Sequence, residues 1–316
     1  MYRLYPKLTF DGPIFDAHTH IVDTDALQML VEIGESFGVK ESLLICHSLG
    51  AKNYAEEKYP GRFIFAKYFS GAMRFGGGLN LILKEIATLR NEGYHMAKMQ
   101  SAPVMRGRVS ASLEEMRLDG DEMAQMFEAM KDEGIPLLLH LSDPDTYYAT
   151  KYTDTSIYTS KERDLRELEG VLRRHNSLKF QLAHFGSQSE IHRLDNLGRW
   201  FDTYPNFNID TSSARWVSRE LSKDPKKAKE FIMKYQDRIV FGTDCVTWKP
   251  DREYFEGRYL ALRLLLESSV EHRPLPFPDA DTTASGGTFI NGLNLPDEVL
   301  QKIYWQNAKN FYAEFV

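Results

Sequence analysis

Short apolar runs alternate with longer amphipathic stretches along the whole chain. The short runs are Pro13–Ala17, Ser42–Cys46, Phe63–Tyr68, His95–Met99, Pro136–Leu139, Lys179–Ala183, Phe207–Thr211 and Arg238–Gly242. They are almost continuously apolar and do not alternate strictly. This suits parallel strands covered on both faces. The stretches between them carry apolar residues at helical spacing: Asp25–Phe37, Leu79–Asn91, Asp119–Glu133, Lys161–His175, Ser187–Asp202, Ser218–Tyr235, Tyr254–His272 and Pro296–Phe315. The first of these can be capped by Asp25, with Asp23 and Thr24 as rival caps. Gly93 and Gly134 sit where helix stops belong. The segment after Gly50 carries the weakest helical pattern. Eight strand–helix pairs without a break in composition predict a closed (β/α)8 TIM barrel, expected as one domain over residues 1–316. Residues 273–295 are rich in Pro and Gly and too long for an ordinary connection, so they are expected to form a C-terminal insertion between two helices. Residues 100–118 form a second long loop, leaving strand 4 on the side where barrel active sites lie.

Composition narrows the function classes. Hydrophobic residues make up 42% and charged residues 27%, which excludes a disordered chain. A net charge of −6 makes the chain a poor candidate for general nucleic-acid binding. The expected partner is a small-molecule substrate. Cys46 and Cys245 fit no disulfide framework, so a reducing cytoplasm is the expected location. No apolar run suits a membrane span, and the first residues lack a signal-peptide core.

The candidate chemistry lies at the strand ends. His18 and His20 follow strand 1, His47 strand 2, His140 strand 5, His184 strand 6 and Asp244 strand 8. In a closed barrel these positions meet on one face. Residues i and i+2 of an extended strand point to one side, so His18 and His20 can reach one ion together. With His140 and Asp244 they form a nitrogen/oxygen set that leaves room for water, as in a catalytic site. One divalent metal is expected, zinc first, with manganese or iron as alternatives. His95, His175, His192 and His272 read as surface or core residues.

The segments IFDAHTHI, LLLHLSD, FQLAHFGS, RIVFGTD and WQNAKNFY, in this order, resemble the amidohydrolase superfamily. The resemblance is greatest to its amidohydrolase-related branch of TIM-barrel metal-dependent hydrolases and aromatic-acid decarboxylases. It implies His18, His20, His140 and Asp244 as metal ligands, and His184 as the strand-6 histidine that activates water or polarises substrate. Some superfamily members carry a carboxylated lysine at the end of strand 4. Lys98 sits near that place, but a simple lysine pairing with an Asp or the substrate is the preferred reading. Barrels of this branch often pair, which leaves a homodimer open.

The resulting expectation is a metal-dependent hydrolase of an ester, lactone or amide, with Asp244 as proton shuttle and His184 polarising the carbonyl. A decarboxylase is the alternative, and a non-catalytic ligand-binding barrel comes third. Arg74, Arg106, Arg108 and Arg215 are expected at the mouth, where a guanidinium could pair with a substrate carboxylate. Arg215 is the first choice among them, and His47 and Lys98 are further substrate-contact candidates. Trp216 and Trp248 could wall an apolar pocket.

Overall fold

The computed structural model describes residues 6–69, 78–109, 111–282 and 286–315. Nine parallel strands form one sheet: β1 (Ile14–Ile21), β2 (Val39–Cys46), β3 (Phe63–Phe69), β4 (Met96–Gln100), β5 (Leu137–His140), β6 (Phe180–Leu182), β7 (Phe207–Asp210), β8 (Ile239–Val240) and β9 (Cys245–Val246). Their order is β8-β7-β6-β5-β4-β3-β2-β1-β9. Because β8 runs almost directly into β9, the two behave as one interrupted eighth strand. Ala17 N–H donates to the Phe241 carbonyl (2.8 Å), Asp244 N–H to the His18 carbonyl (2.8 Å) and Thr247 N–H to the His20 carbonyl (3.2 Å), which closes the ring. The fold is the α/β TIM barrel that the alternation predicts, and each of the eight apolar runs overlaps a strand.

Strand 1 differs most from expectation. It runs to Ile21, four residues past Ala17, and all its residues are buried. Its polar side chains find partners inside the fold, so they do not end the strand. The Thr19 hydroxyl, for instance, donates to the Leu43 carbonyl at 2.8 Å. The register of β1 against β2 also slips between Asp16 and Thr19. Strict alternation would put Ala17 and His20 on opposite faces. With the slip, Ala17 packs in the barrel interior and His20 reaches the cavity above it. The interior core of Phe15, Ala17, Leu43, Ile45, Ile64, Ala66, Met96, Leu138 and Val240 fills the lower barrel, closed beneath by Ala308 and Tyr312. Above this core, toward the strands' C-terminal ends, lie His20, His140 and Asp244.

The helices follow the pattern with local revisions. Asp23, one of the rival caps, accepts from Asp25 N–H and opens the first helical stretch. The weak segment after Gly50 is helical over Leu49–Lys58, with the Ser48 hydroxyl capping Ala51 N–H at 3.1 Å. The single helix expected over Ser218–Tyr235 is two, Ala214–Leu221 and Pro225–Tyr235. Pro225 has no N–H to continue the first, and Asp224 caps the second through Lys227 N–H at 3.0 Å. The helix expected from Ser187 begins only at Leu194, after a short turn over Ile191–Arg193. Residues 273–295 lie between the helices Arg252–Glu267 and Asp297–Gln301, and their β10 (Arg273–Pro274) pairs antiparallel with β11 (Phe289–Ile290). Among the described residues no helix is long and apolar enough to cross a membrane.

Candidate metal centre

Three donor atoms meet at the mouth of the barrel. His18 Nε2 lies 3.2 Å from His20 Nε2. Asp244 Oδ1 lies 3.5 Å from the first and 3.4 Å from the second. Tetrahedral ligands held at ~2.1 Å from one ion stand ~3.4 Å apart, so this triangle has the size a shared cation requires. The backbone is shaped to allow it. A side chain at Gly242 would place its Cβ 2.9 Å from His18 Cβ, so only glycine lets the imidazole approach. Asp244 itself sits in the left-handed region at φ 56°, an uncommon conformation for a non-glycine residue, and this turns its carboxylate back toward strand 1.

Asp210, which the sequence reading passed over, organises this triangle from behind. Its carboxylate accepts from His18 Nδ1 (2.9 Å), Gln181 Nε2 (2.8 Å), His184 N–H (3.0 Å) and Ser212 N–H (3.0 Å). Burial alone would raise its pKa, but His18, His184 and Ser212 outweigh it and keep the group ionised. An ionised carboxylate can only accept, so His18 Nδ1 carries the proton and Nε2 presents a bare lone pair to the triangle. The only signal in the sequence was an Asp closing an apolar run, FNID, at a strand end. Asp16 is the second omission. Buried throughout, it accepts from the Thr243 hydroxyl (2.7 Å), the Tyr259 hydroxyl (2.9 Å) and His18 N–H (3.2 Å), tying strand 1 to the Asp244 turn. Burial pushes its pKa up to about 7.

Asp244 is held ionised. Burial opposes this, but His20, His18, His184 and Arg258 together keep its pKa well below the carboxylate range. Burial holds His20 neutral, its pKa lowered to about 3, and His47 likewise, at about 4. His47 Nε2 meets His20 Nδ1 at 3.1 Å, and its ring stacks on Tyr68 at 4.3 Å. His184 also adopts a left-handed backbone, at φ 57°. Its Nδ1 lies 2.8 Å from the Ser212 hydroxyl, and burial keeps the ring neutral. It belongs with His18 and Asp210 to a second close-set group.

His140, expected as the third imidazole ligand, lines the same cavity and packs edge-on to His184 at 4.3 Å. Its Nε2 is engaged by Asp143 at 2.9 Å, and it joins neither close-set group among the described residues. The cavity, about 510 Å³, is lined by His20, His47, Tyr68, Lys98, Trp216 and Asp244, with Arg108 and the largely exposed Trp248 at the rim. The Lys98 ammonium is buried and has no hydrogen-bond partner among the described residues. Burial lowers its pKa to about 8, against the pull of Asp244 and Asp210.

Arg106 and Arg215 are placed differently from expectation. Arg106 is buried and bonded to Asp164 (2.6 Å) and the Tyr158 carbonyl (2.9 Å), so it serves packing and does not face the mouth. Arg215 does not line the cavity. Its guanidinium is held by Asp281 of the insertion at 2.9 Å and by the Tyr147 hydroxyl at 3.3 Å. Both arginines have partners more than fifty residues away, which local sequence does not reveal. Arg74 lies outside the described residues.

Comparison with known proteins agrees with this fold. The 5-carboxyvanillate decarboxylase LigW from Sphingomonas paucimobilis superposes with a TM-score of 0.54 at 12% identity, covering 95% of this chain and 99% of its own. A protein described as an amidohydrolase from Staphylococcus aureus gives 0.54 at 15% identity, covering 96% and 99%. The 5-carboxyvanillate decarboxylase from Novosphingobium aromaticivorans DSM 12444, complexed with manganese and 4-hydroxy-3-methoxy-5-nitrobenzoic acid, gives 0.55 at 12% identity, covering 96% of each chain. At such identities the likeness establishes the fold alone. No curated protein matches the chain by sequence. The family model described as Amidohydrolase matches residues 71–313, more than half of the chain, and so this protein belongs to the amidohydrolase family.

Proposed function

We propose that the protein is a metal-dependent decarboxylase acting on an aromatic or unsaturated acid. One observation carries the choice of an acidic substrate. Lys98 places a buried ammonium on the cavity wall with no partner among the described residues. An unpaired buried charge costs several kcal/mol, and an acid group on the ligand would offset that cost. The aromatic faces of Tyr68 and Trp216 on the same cavity suit a flat ring. Two of the structural neighbours act on a carboxylated ring, and they span the chain almost end to end.

His18, His20 and Asp244 would hold the cation, with zinc or manganese as the ions to load first. A divalent ion there supplies Lewis-acid charge that draws electron density from an oxygen substituent of the ring. The remaining chemistry falls to the chain. Lys98 orients the acid group, and Trp216 and Tyr68 hold the ring plane. Losing the carboxyl group as carbon dioxide breaks one carbon–carbon bond and leaves its electron pair on the ring carbon, which must take up a proton. Asp244 is ionised at rest, so it first collects a proton from an acidic substrate hydroxyl and then delivers it to that carbon.

Hydrolysis of an ester, lactone or amide is the second reading. It is favoured by the ionised Asp244 carboxylate, which stands beside the donor triangle where a water would be deprotonated. Metal-loaded protein incubated in ¹⁸O-water with ring acids, lactones and amides separates the two. Carbon dioxide released in step with a product lacking one carboxyl supports decarboxylation. Isotope incorporated into product without carbon dioxide contradicts it.

A further inference from the structure

We infer that Asp281, within the C-terminal insertion, is a positioning residue that holds Trp216 in the cavity wall and so sets which ring the site accepts. The second clause rests on the ring-acid reading above; the first does not. The Tyr147 hydroxyl links the two residues. It has one proton and two lone pairs. Both oxygens of Asp281 lie within reach, at 2.7 and 2.8 Å, so the proton points to Asp281. The lone pairs then accept Trp216 Nε1–H at 3.2 Å and Arg215 Nη2–H at 3.3 Å, which fills the hydroxyl's capacity.

The one polar atom of Trp216 is thereby anchored through Tyr147 to a carboxylate of the insertion. Its ring stands edge-on to Tyr147 (5.3 Å), His184 (5.6 Å) and His140 (6.3 Å), so rotating the indole would reshape the wall next to both imidazoles. Asp281 is fixed in turn. Its side chain is buried, and Arg215 (2.9 Å), Lys151 (3.3 Å) and Arg219 (3.4 Å) surround it. The Lys151 ammonium also sits 3.3 Å above the Tyr147 ring. The insertion is pinned nearby a second time, where Asn291 donates from its side chain to the Ser222 carbonyl (2.8 Å) and from its N–H to the Ser222 hydroxyl (2.9 Å). A segment outside the strand–helix repeat thus reaches the cavity wall through two hydrogen bonds in series.

The test uses Asp281→Ala, Tyr147→Phe and the double variant. Tyr147→Phe removes the link while leaving the Asp281–Arg215 ion pair, so it stays informative if Asp281→Ala folds poorly. The near-UV circular dichroism band of Trp216, assigned by difference against Trp216→Phe, is read on protein without ligand. Kinetics are then read on a series of ring acids of increasing width. Each single variant is expected to weaken the Trp216 band. Each is also expected to raise KM about tenfold for the wider acids relative to the narrowest, with kcat within about twofold, the scale of a reshaped apolar wall. The double variant should match the singles, because one chain of bonds is broken only once. An unchanged band overturns the positioning role whatever the substrate. A fall in kcat alone, equal for all acids, or fully additive losses in the double variant, also overturns it. If wild-type protein turns over no ring acid, the proposed activity fails, and the Trp216 band still decides whether Asp281 positions that residue.

Discussion

Replacing Asp210 by Asn should disable the metal centre without touching a proposed ligand. The two carboxylate oxygens serve different partners: Oδ2 faces His18 Nδ1 and Gln181 Nε2, while Oδ1 faces the N–H groups of His184 and Ser212. A carboxamide keeps only one acceptor oxygen. Its better placement meets the two backbone N–H groups, which cannot turn away. The NH2 then faces His18 Nδ1 at about the present 2.9 Å and forces that nitrogen to accept. The imidazole proton moves to Nε2, the atom that points at His20 and Asp244, and a protonated nitrogen cannot bind a cation. Loss of such an orienting partner typically costs 10- to 100-fold in metal affinity, or about 1.4–2.8 kcal/mol, and a forced tautomer belongs at the upper end. Calorimetric titration of metal-free protein with zinc and with manganese gives the affinity. Thermal unfolding of the metal-free variant separates loss of fold from loss of binding. Wild-type affinity in a folded Asp210→Asn protein would refute the tautomer argument.

Asp244→Asn should reduce turnover by about 10²- to 10⁴-fold, the usual weight of a positioned acid–base group, with the circular dichroism spectrum kept. Lys98→Met should weaken binding of ring acids but not of their neutral amides. In the unaltered protein Lys98 is charged below its pKa of about 8 and neutral above it, so acid affinity should fall as pH rises through that value. A pH-independent affinity between 7 and 9 by calorimetry would contradict the carboxylate role. Gly242→Ala should destabilise the protein by about 1–3 kcal/mol, because its Cβ would meet His18 Cβ at 2.9 Å, and a denaturant titration reads this directly.

Much of the barrel was legible because parallel strands buried on both faces leave near-continuous apolar runs such as SLLIC and PLLL, and parallel pairing demands long crossovers between them. That His18, His20 and Asp244 would lie close together was legible because strand ends in such a barrel converge. The parity of strand 1 was not: the register slip between Asp16 and Thr19 leaves no compositional mark. The interruption between β8 and β9 was hidden for a similar reason, since nothing in RIVFGTD announces that Asp244 adopts a left-handed backbone. Long-range polar pairings were the least readable. Asp210 reaches His18 across 192 positions, and Arg215 is drawn from the mouth by Asp281 of the insertion. The helix break at Pro225 was different in kind, because the Asp–Pro pair that marks it was present in the chain.

The most direct test is a crystal structure of metal-loaded protein with anomalous data collected at the metal's absorption edge. The account predicts one strong peak inside the triangle of His18 Nε2, His20 Nε2 and Asp244 Oδ1, each ~2.0–2.2 Å from the ion. A peak elsewhere, or none after loading, would contradict it.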